Sequence, residues 1–378
     1  MKILFVLDYY YPFMGGSEVL FKNLAEGLVK KGHSVSVVTS KVENSLKKET
    51  LNGVKIKRVP VPKFLPRFFF MIFVFPWLFL NAKKFDVFHT TSCGSSVSAG
   101  FVSRIRRIPS VITVHEVIGN NWKEMFAMGR LTASVYKFLE KIMLTRKFKK
   151  YVCVSKSTKK GLIDLGVNKK KISVVYNALD YNHWNPRKYP GARKRIREKL
   201  GVSNKEFLYT FYGRPGVSKG PEYLIKAMPM VKKNVPNSKG LFLMGSEPAE
   251  RYNFMKKLLK KYASGNAILH KSVSYDKLPE YILASDCIVI PSLTEGFGFC
   301  VAESCALGRP VVASNTTSIP EVASGKFLLV PAKDPFAISR AISLVKEKHY
   351  MKTSIKKFTL DNFLAGYGAI YKNIRFSK

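Results

Sequence analysis

Two carboxylates eight positions apart, Glu295 and Glu303, frame a Gly-Phe-Gly turn in the stretch PSLTEGFGFCVAESCALGRPVVAS. The apolar run DCIVIPS ends just before them, and a helix-like segment opens just after, so the pair belongs to a strand end and a helix start. In an unbroken helix eight residues span about 12 Å. That is wider than the ~5.5 Å carboxylate pair of a retaining glycoside hydrolase and beyond the inverting range as well. The spacing argues against an acid–base dyad and suits two separate hydrogen-bonding tasks on one elongated, hydroxyl-rich ligand. Glycines at the turn admit a close approach, and the backbone N–H groups of Gly296, Phe297 and Gly298 can serve hydroxyls or phosphate. The plainer alternative for Glu295 is to complement the helix dipole.

A second constellation lies in FYGRPGVSKGPEYLIKAM, where Gly213 and Arg214 end a strand and Lys219 precedes a helix. A guanidinium and an ammonium five residues apart around a glycine turn form a clamp for a diphosphate, one bidentate and one a mobile point charge. Gly15-Gly16 follow the first strand at a phosphate-loop-like position, without the GxGxxG or GxxxxGK[ST] spacing; a plain tight turn is the alternative. His115 closes the run VITVH, a strand-terminus address that favours substrate contact, with a structural role as the alternative. His89, at the end of DVFH, has the same kind of address with less support. His33, at the opposite end of its strand, reads as structural.

Positioning these groups requires alternating strands and helices. KILFVLDYYYP, HSVSVVTS, FDVFHTT, PSVITVHE, KYVCVS and KISVVYNALD read as strands of a first parallel sheet. EFLYTFYGRP, KGLFLMGSE, AILHKSV, DCIVIPS, PVVAS and KFLLVP read as strands of a second. Between them come helical segments such as VLFKNLAEGLVKKG and GPEYLIKAMPMVKKN. The fold class is therefore α/β, two Rossmann-like doubly wound domains. The carboxyl ends of such sheets are the edges at which ligands bind, and a cleft between the two is expected.

The 378-residue chain carries 64 basic and 25 acidic residues, a net charge of +39. The basic residues are spread through RIRR, RKFKK, KSTKK, ARKRIREK and SIKK, which favours a general attraction to anionic membranes or phosphorylated ligands over specific nucleic-acid recognition. Five cysteines without a CxxC read as buried free thiols in a reducing compartment, with no metal site. The N-terminal run from Ile3 to Leu7 is too short for a secretory core and reads as a strand. The apolar stretch Phe68 to Leu80, broken only by Pro76, is too short to span a bilayer. It reads either as a buried helix or as a segment resting on a membrane surface.

At these residues the chain resembles retaining glycosyltransferase family 4, of GT-B fold. The resemblance is carried by GGSE with KKGHSVSVVT, VITVHE, VSKSTKKGL with VVYNALD, GRPGVSKGPEYLIKA, and above all PSLTEGFGFCVAESCALGRPVVAS leading to IPEV. It implies transfer of a sugar from a UDP- or GDP-sugar to a glycan or lipid-linked acceptor, with retention. Arg214 and Lys219 would then hold the diphosphate, Glu303 the ribose, and Glu295 the donor sugar with the amides of Gly296 to Phe299. Gly213 would belong to the same donor set, and His115 and Gly16 would line the sugar and acceptor side. A front-face mechanism would need no enzymic nucleophile. With no two aspartates two residues apart, no metal or other cofactor is expected. Two departures, Ser246-Glu247 in MGSE and Lys271 in LHKSVS, fall where the family binds the donor base.

These expectations divide the chain into an acceptor domain (residues 1–180), a linker region (181–204), a donor domain (205–354) and a C-terminal helix crossing back (355–378). The expected setting is cytoplasmic, peripheral on an anionic membrane. The rival readings are a GT-B-fold sugar-nucleotide epimerase and a non-catalytic, basic nucleic-acid-binding protein.

Overall fold

Short β-branched runs, buried on both faces, become parallel strands flanked by helices in the computed structural model, which describes all residues except Met14, Ala127, Ser264, Ser377 and Lys378. The chain divides into two units. One comprises Met1–Ala178 with the last helix of the chain, and the other Leu179–Lys357.

The first unit holds an eight-stranded sheet. Its strands are β1 (Lys2–Val6), β2 (Ser34–Ser40), β3 (Lys48–Leu51), β4 (Val54–Val59), β5 (Val87–Thr91), β6 (Ser110–Val114), β7 (Lys150–Cys153) and β8 (Ile172–Val174). Their order is β3-β4-β2-β1-β5-β6-β7-β8, all neighbours parallel except the β3–β4 hairpin. The chain winds outward one way from β1 and the other way from β5, so the switch point lies between these two strands.

The second unit repeats the plan with β9 (Phe207–Gly213), β10 (Ser238–Met244), β11 (Ala267–Lys271), β12 (Cys287–Ile290), β13 (Val311–Ser314), β14 (Lys326–Val330) and β15 (Met351–Lys352). The order is β11-β10-β9-β12-β13-β14-β15, and only the two-residue β15 runs antiparallel. Here the winding reverses between β9 and β12.

The stretch 181–204, whose prolines and charge suggest a linker, is packed into the second unit. Trp184 is buried and donates through Nε1 to Tyr275 Oη at 3.0 Å. The helix Ala192–Leu200 buries Arg197, whose guanidinium donates to Ala284 O at 3.0 Å, to Ser203 O at 2.6 Å and to the Asp286 carboxylate at 3.2 Å. It also donates to Glu206 O; a buried arginine with four acceptors is fixed, and so is the helix that carries it.

The apolar stretch around Phe68–Leu80 forms two short helices, Pro66–Phe73 and Phe75–Asn81, the second starting where Pro76 fits the first turn. Phe70, Val74 and Leu78 enter the core of the first unit, while Phe68, Ile72, Phe73 and Leu80 remain exposed. The stretch is thus a pair of helices with one face in the core, as the buried-helix reading expects, and the other face exposed. Among the described residues no helix is long and apolar enough to cross a membrane. The cysteines are all free, with Cys153, Cys287 and Cys305 buried and Cys93 and Cys300 half-buried.

The last helix, Leu360–Phe376, packs in the first unit. Its Tyr371 hydroxyl lies 2.5 Å from His89 Nδ1, and His89 Nε2 lies 2.8 Å from Thr113 Oγ1. Thr113 Oγ1 in turn meets the Tyr367 hydroxyl at 2.8 Å. His89 is therefore a buried junction between the sheet and the C-terminal helix. Burial, with a smaller contribution from nearby His115, depresses its pKa to about 3 and keeps it neutral.

Candidate active site

Winding reversal between β9 and β12 brings together the two loops that the sequence singled out. Gly213 ends β9 and the loop after it carries Arg214 and Lys219; the loop after β12 carries Glu295 to Gly298. They are joined main chain to main chain, with Leu293 N donating to Ser218 O at 2.7 Å. At Gly220, φ is +60°, and a Cβ there would stand 2.3 Å from Pro291 O. Only glycine permits both the left-handed turn and this approach.

Lys219 Nζ donates to Glu295 Oε1 at 2.7 Å, and Ser292 Oγ donates to the same oxygen at 2.8 Å. The backbone of Glu295 is held on both sides: its N–H donates to Thr317 Oγ1 at 2.9 Å and its carbonyl accepts from Ser318 Oγ at 2.9 Å. Burial opposes the Lys219 charge, but the Glu295 carboxylate outweighs it and holds the ammonium protonated well above its ordinary range. Arg214 is exposed and makes no hydrogen bond or ion pair among the described residues, while its charge works against that of Lys219. The loop thus presents one partnered cation and one free one.

Glu295 does not cap the following helix. That helix, Phe299–Ala306, starts from Gly298 in the left-handed region (φ +95°) with no side-chain cap. Val301 N and Ala302 N bond to Gly298 O at 3.0 and 3.2 Å, so the N–H groups of Phe299 and Cys300 precede the first intrahelical bond and are the ones such a helix start can offer to an anion. Phe297 is buried and meets the Phe299 ring edge-on at 5.1 Å, which fixes the turn.

Glu303 lies one helical turn further in and is 8% exposed. The Tyr212 hydroxyl, from the residue before Gly213, donates to Glu303 Oε2 at 2.9 Å and lies 2.7 Å from Cys300 O. Burial pushes the Glu303 carboxyl up to about 7, against the pull of Tyr212 and Lys219 and with help from Glu295. The two glutamates therefore act on each other electrostatically. The break in the helix at Gly298 makes the straight-helix spacing inapplicable, and Lys219 lies near both. Tyr212 escaped the sequence reading; its place beside Gly213 at the end of β9 was the available signal.

Ser246-Glu247 and Lys271 leave the same sheet edge, since Gly213, Met244 and Lys271 are level in register across β9, β10 and β11. All three of these departing residues are exposed.

The first unit holds the other candidates. Gly16 opens the helix Gly16–Lys30 that follows β1. His115 follows β6; its backbone N–H donates to Ser92 Oγ at 3.3 Å and its ring sits edge-on to Phe21 at 6.2 Å. Its Nε2 is buried and makes no hydrogen bond among the described residues. Burial lowers its pKa to about 4, so the ring is neutral at pH 7. His33 contacts the N-terminal amine through Nδ1 at 3.3 Å, at the far end of the sheet.

Two family models match the chain: Glycosyltransferase Family 4 over residues 14–183 and Glycosyl transferases group 1 over residues 192–359. An uncharacterized glycosyltransferase of Methanocaldococcus jannaschii is 28% identical over 98% of either chain. The UDP-Gal:alpha-D-GlcNAc-diphosphoundecaprenol alpha-1,3-galactosyltransferase of Escherichia coli is 29% identical over 62% of this chain and 59% of its own length. Among solved structures, Anabaena HepE in complex with UDP superposes with a TM-score of 0.77 over 99% of this chain and all of its own, at 16% identity.

Proposed function

The chain belongs to the GT4-type glycosyltransferases of GT-B fold, and we propose that it moves a hexose from a UDP-sugar to a glycan or lipid-linked acceptor with retention at the anomeric carbon. The observation that carries this reading is the meeting of a free Arg214, a Glu295-bound Lys219, the helix start at Phe299 and a buried, Tyr212-bonded Glu303 at one sheet edge. UDP is favoured over GDP because the Anabaena neighbour holds UDP and the E. coli relative is named for UDP-galactose. The same relative's name supports a lipid-linked acceptor.

In this reading Arg214 and Lys219 bind the diphosphate beside Gly213, Glu303 takes the ribose hydroxyls, and Glu295 and the amides of Gly296 to Phe299 orient the donor sugar. The anomeric carbon–oxygen bond breaks, and its electron pair leaves with the diphosphate. The acceptor oxygen bonds to the same face and passes its proton to the departing phosphate oxygen. Arg214, Lys219 and the helix amides offset the charge that develops there, so no metal is required. His115, neutral at pH 7, is suited to hydrogen bonding with a hydroxyl and not to donating a proton as an acid. Its role and that of Gly16, towards sugar or acceptor, belong to the same proposal. The enzyme works in the cytoplasm against an anionic membrane surface, as its net charge of +39 favours.

A thermal-shift series with UDP, GDP and ADP, in EDTA, tests the donor site. UDP is expected to raise Tm in the wild type and to lose most of that effect in Glu303→Ala. Absence of a shift with every nucleotide would sink the reading, and a shift that needs a divalent cation would sink its metal-free part.

A further inference from the structure

The helix Arg130–Thr145 has an unusual division of faces. It buries only Ala133, Glu140 and Leu144. Leu131, Val135, Phe138 and Ile142, spaced four, three and four residues apart, form an exposed apolar stripe, and Leu131 is 81% exposed. Leu139 and Tyr136 widen it, and Trp122 stacks on Tyr136 at 5.2 Å. Flanking this stripe, Arg130, Lys137 and Lys141 are exposed.

The helix contains one carboxylate, and it is turned inward. Glu140 accepts from the backbone N–H groups of Ile118 and Gly119, each at 2.8 Å, and from Trp122 Nε1 at 3.0 Å. The outer face therefore combines apolar side chains with positive charge and no acid.

We propose that this face is the docking surface for an anionic lipid bilayer, on which the helix lies flat. The inference deepens the membrane part of the reading above and rests on it. Sixteen residues give a cylinder about 24 Å long, suited to the interface plane and too short and charged to insert across. A second copy of the chain fits less well. An exposed stripe of this spacing could pair with itself, but pairing would set lysine against lysine on chains of net charge +39. Nucleic acid would satisfy the cations and leave Leu131, Phe138 and Ile142 in water. An anionic bilayer receives both: headgroups take the ammonium groups while the apolar stripe enters the acyl boundary.

Sedimentation of the full chain with vesicles of phosphatidylcholine, alone or mixed with phosphatidylglycerol, tests the surface. Wild type is expected to pellet with the mixed vesicles only, and to be released as salt is raised. Leu131→Gln/Phe138→Gln/Ile142→Gln and, separately, Lys137→Gln/Lys141→Gln should each lower the partition by on the order of tenfold or more. Both variants should keep the wild-type Tm and its shift with UDP. Vesicle binding untouched by either variant would overturn the proposal, as would loss of binding in Phe68→Gln/Ile72→Gln alone. A lipid-free dimer that the triple variant dissolves would overturn it too, by naming a second copy as the occupant. Pelleting as expected, with no nucleotide shifting Tm, would leave the surface standing and fail the donor reading alone.

Discussion

Glu303 owes its proton balance to its neighbours. Burial raises its pKa to about 7, and the Tyr212 hydroxyl is the largest force holding it down. If the ionised form receives the ribose, UDP affinity should be full above about pH 7 and should fall as pH drops through that value. Tyr212→Phe keeps the ring and removes the bond at 2.9 Å, so the carboxyl titrates higher still and the fall in affinity begins at a higher pH. Calorimetric titration of UDP across the neutral range reads both midpoints. Coincident midpoints would show that Tyr212 only fills space. Lys219 gives the complementary case: its ammonium is bonded to Glu295, so in the proposed reading an arriving diphosphate would have to share or displace that carboxylate, whereas Arg214 would meet the phosphate without such a rival.

The loops after β9 and β12 succeed as a pair because Gly220 brings one within touching distance of the other. Gly220→Ala must relieve a left-handed φ and a contact with Pro291 O at once, at a cost of at least about 2 kcal/mol. Differential scanning should find the second unit's Tm lowered by roughly 4–8 °C, with UDP binding weakened by the moved loop. A variant as stable as wild type would deny the loop contact its importance. The sequence made both loops legible because glycines and charged residues interrupt apolar runs at strand ends, a local signal. Their meeting was not local, since it depends on where the winding reverses between strands far apart in the chain. The hairpin of β3 and β4 went unread despite its Asn52-Gly53 turn, because β4 alternates apolar residues with lysines where the other strands are marked by continuous apolar runs. The helix Arg130–Thr145 was passed over for a related reason: its apolar residues are on the outside, where periodicity no longer reports a core.

At the scale of the molecule, charge and connectivity matter more than any single contact. The net +39 leaves few carboxylates, and several of those present are committed to particular partners: Asp286 to Arg193 and Arg197, Glu140 to backbone amides, Glu295 to Lys219. The first unit is completed by the last helix, through Tyr367 and Tyr371. Ending the chain at Lys357 should therefore spare the second unit, which would still bind UDP, and leave the first open. Hydrogen exchange at β5 and β6 would then be fast while β9 and β12 stay protected; equal protection in both units would show that the last helix is dispensable.

The bond between His89 and Tyr371 spans 282 positions of sequence. A ribosome adding about 5–20 residues per second takes roughly 15–60 s to cover them. For that interval the nascent first sheet carries an imidazole without its tyrosine, while the entire second unit emerges and can fold. The first unit is thus begun before the second and completed after it, and until the helix Leu360–Phe376 has been made its sheet lacks that cover.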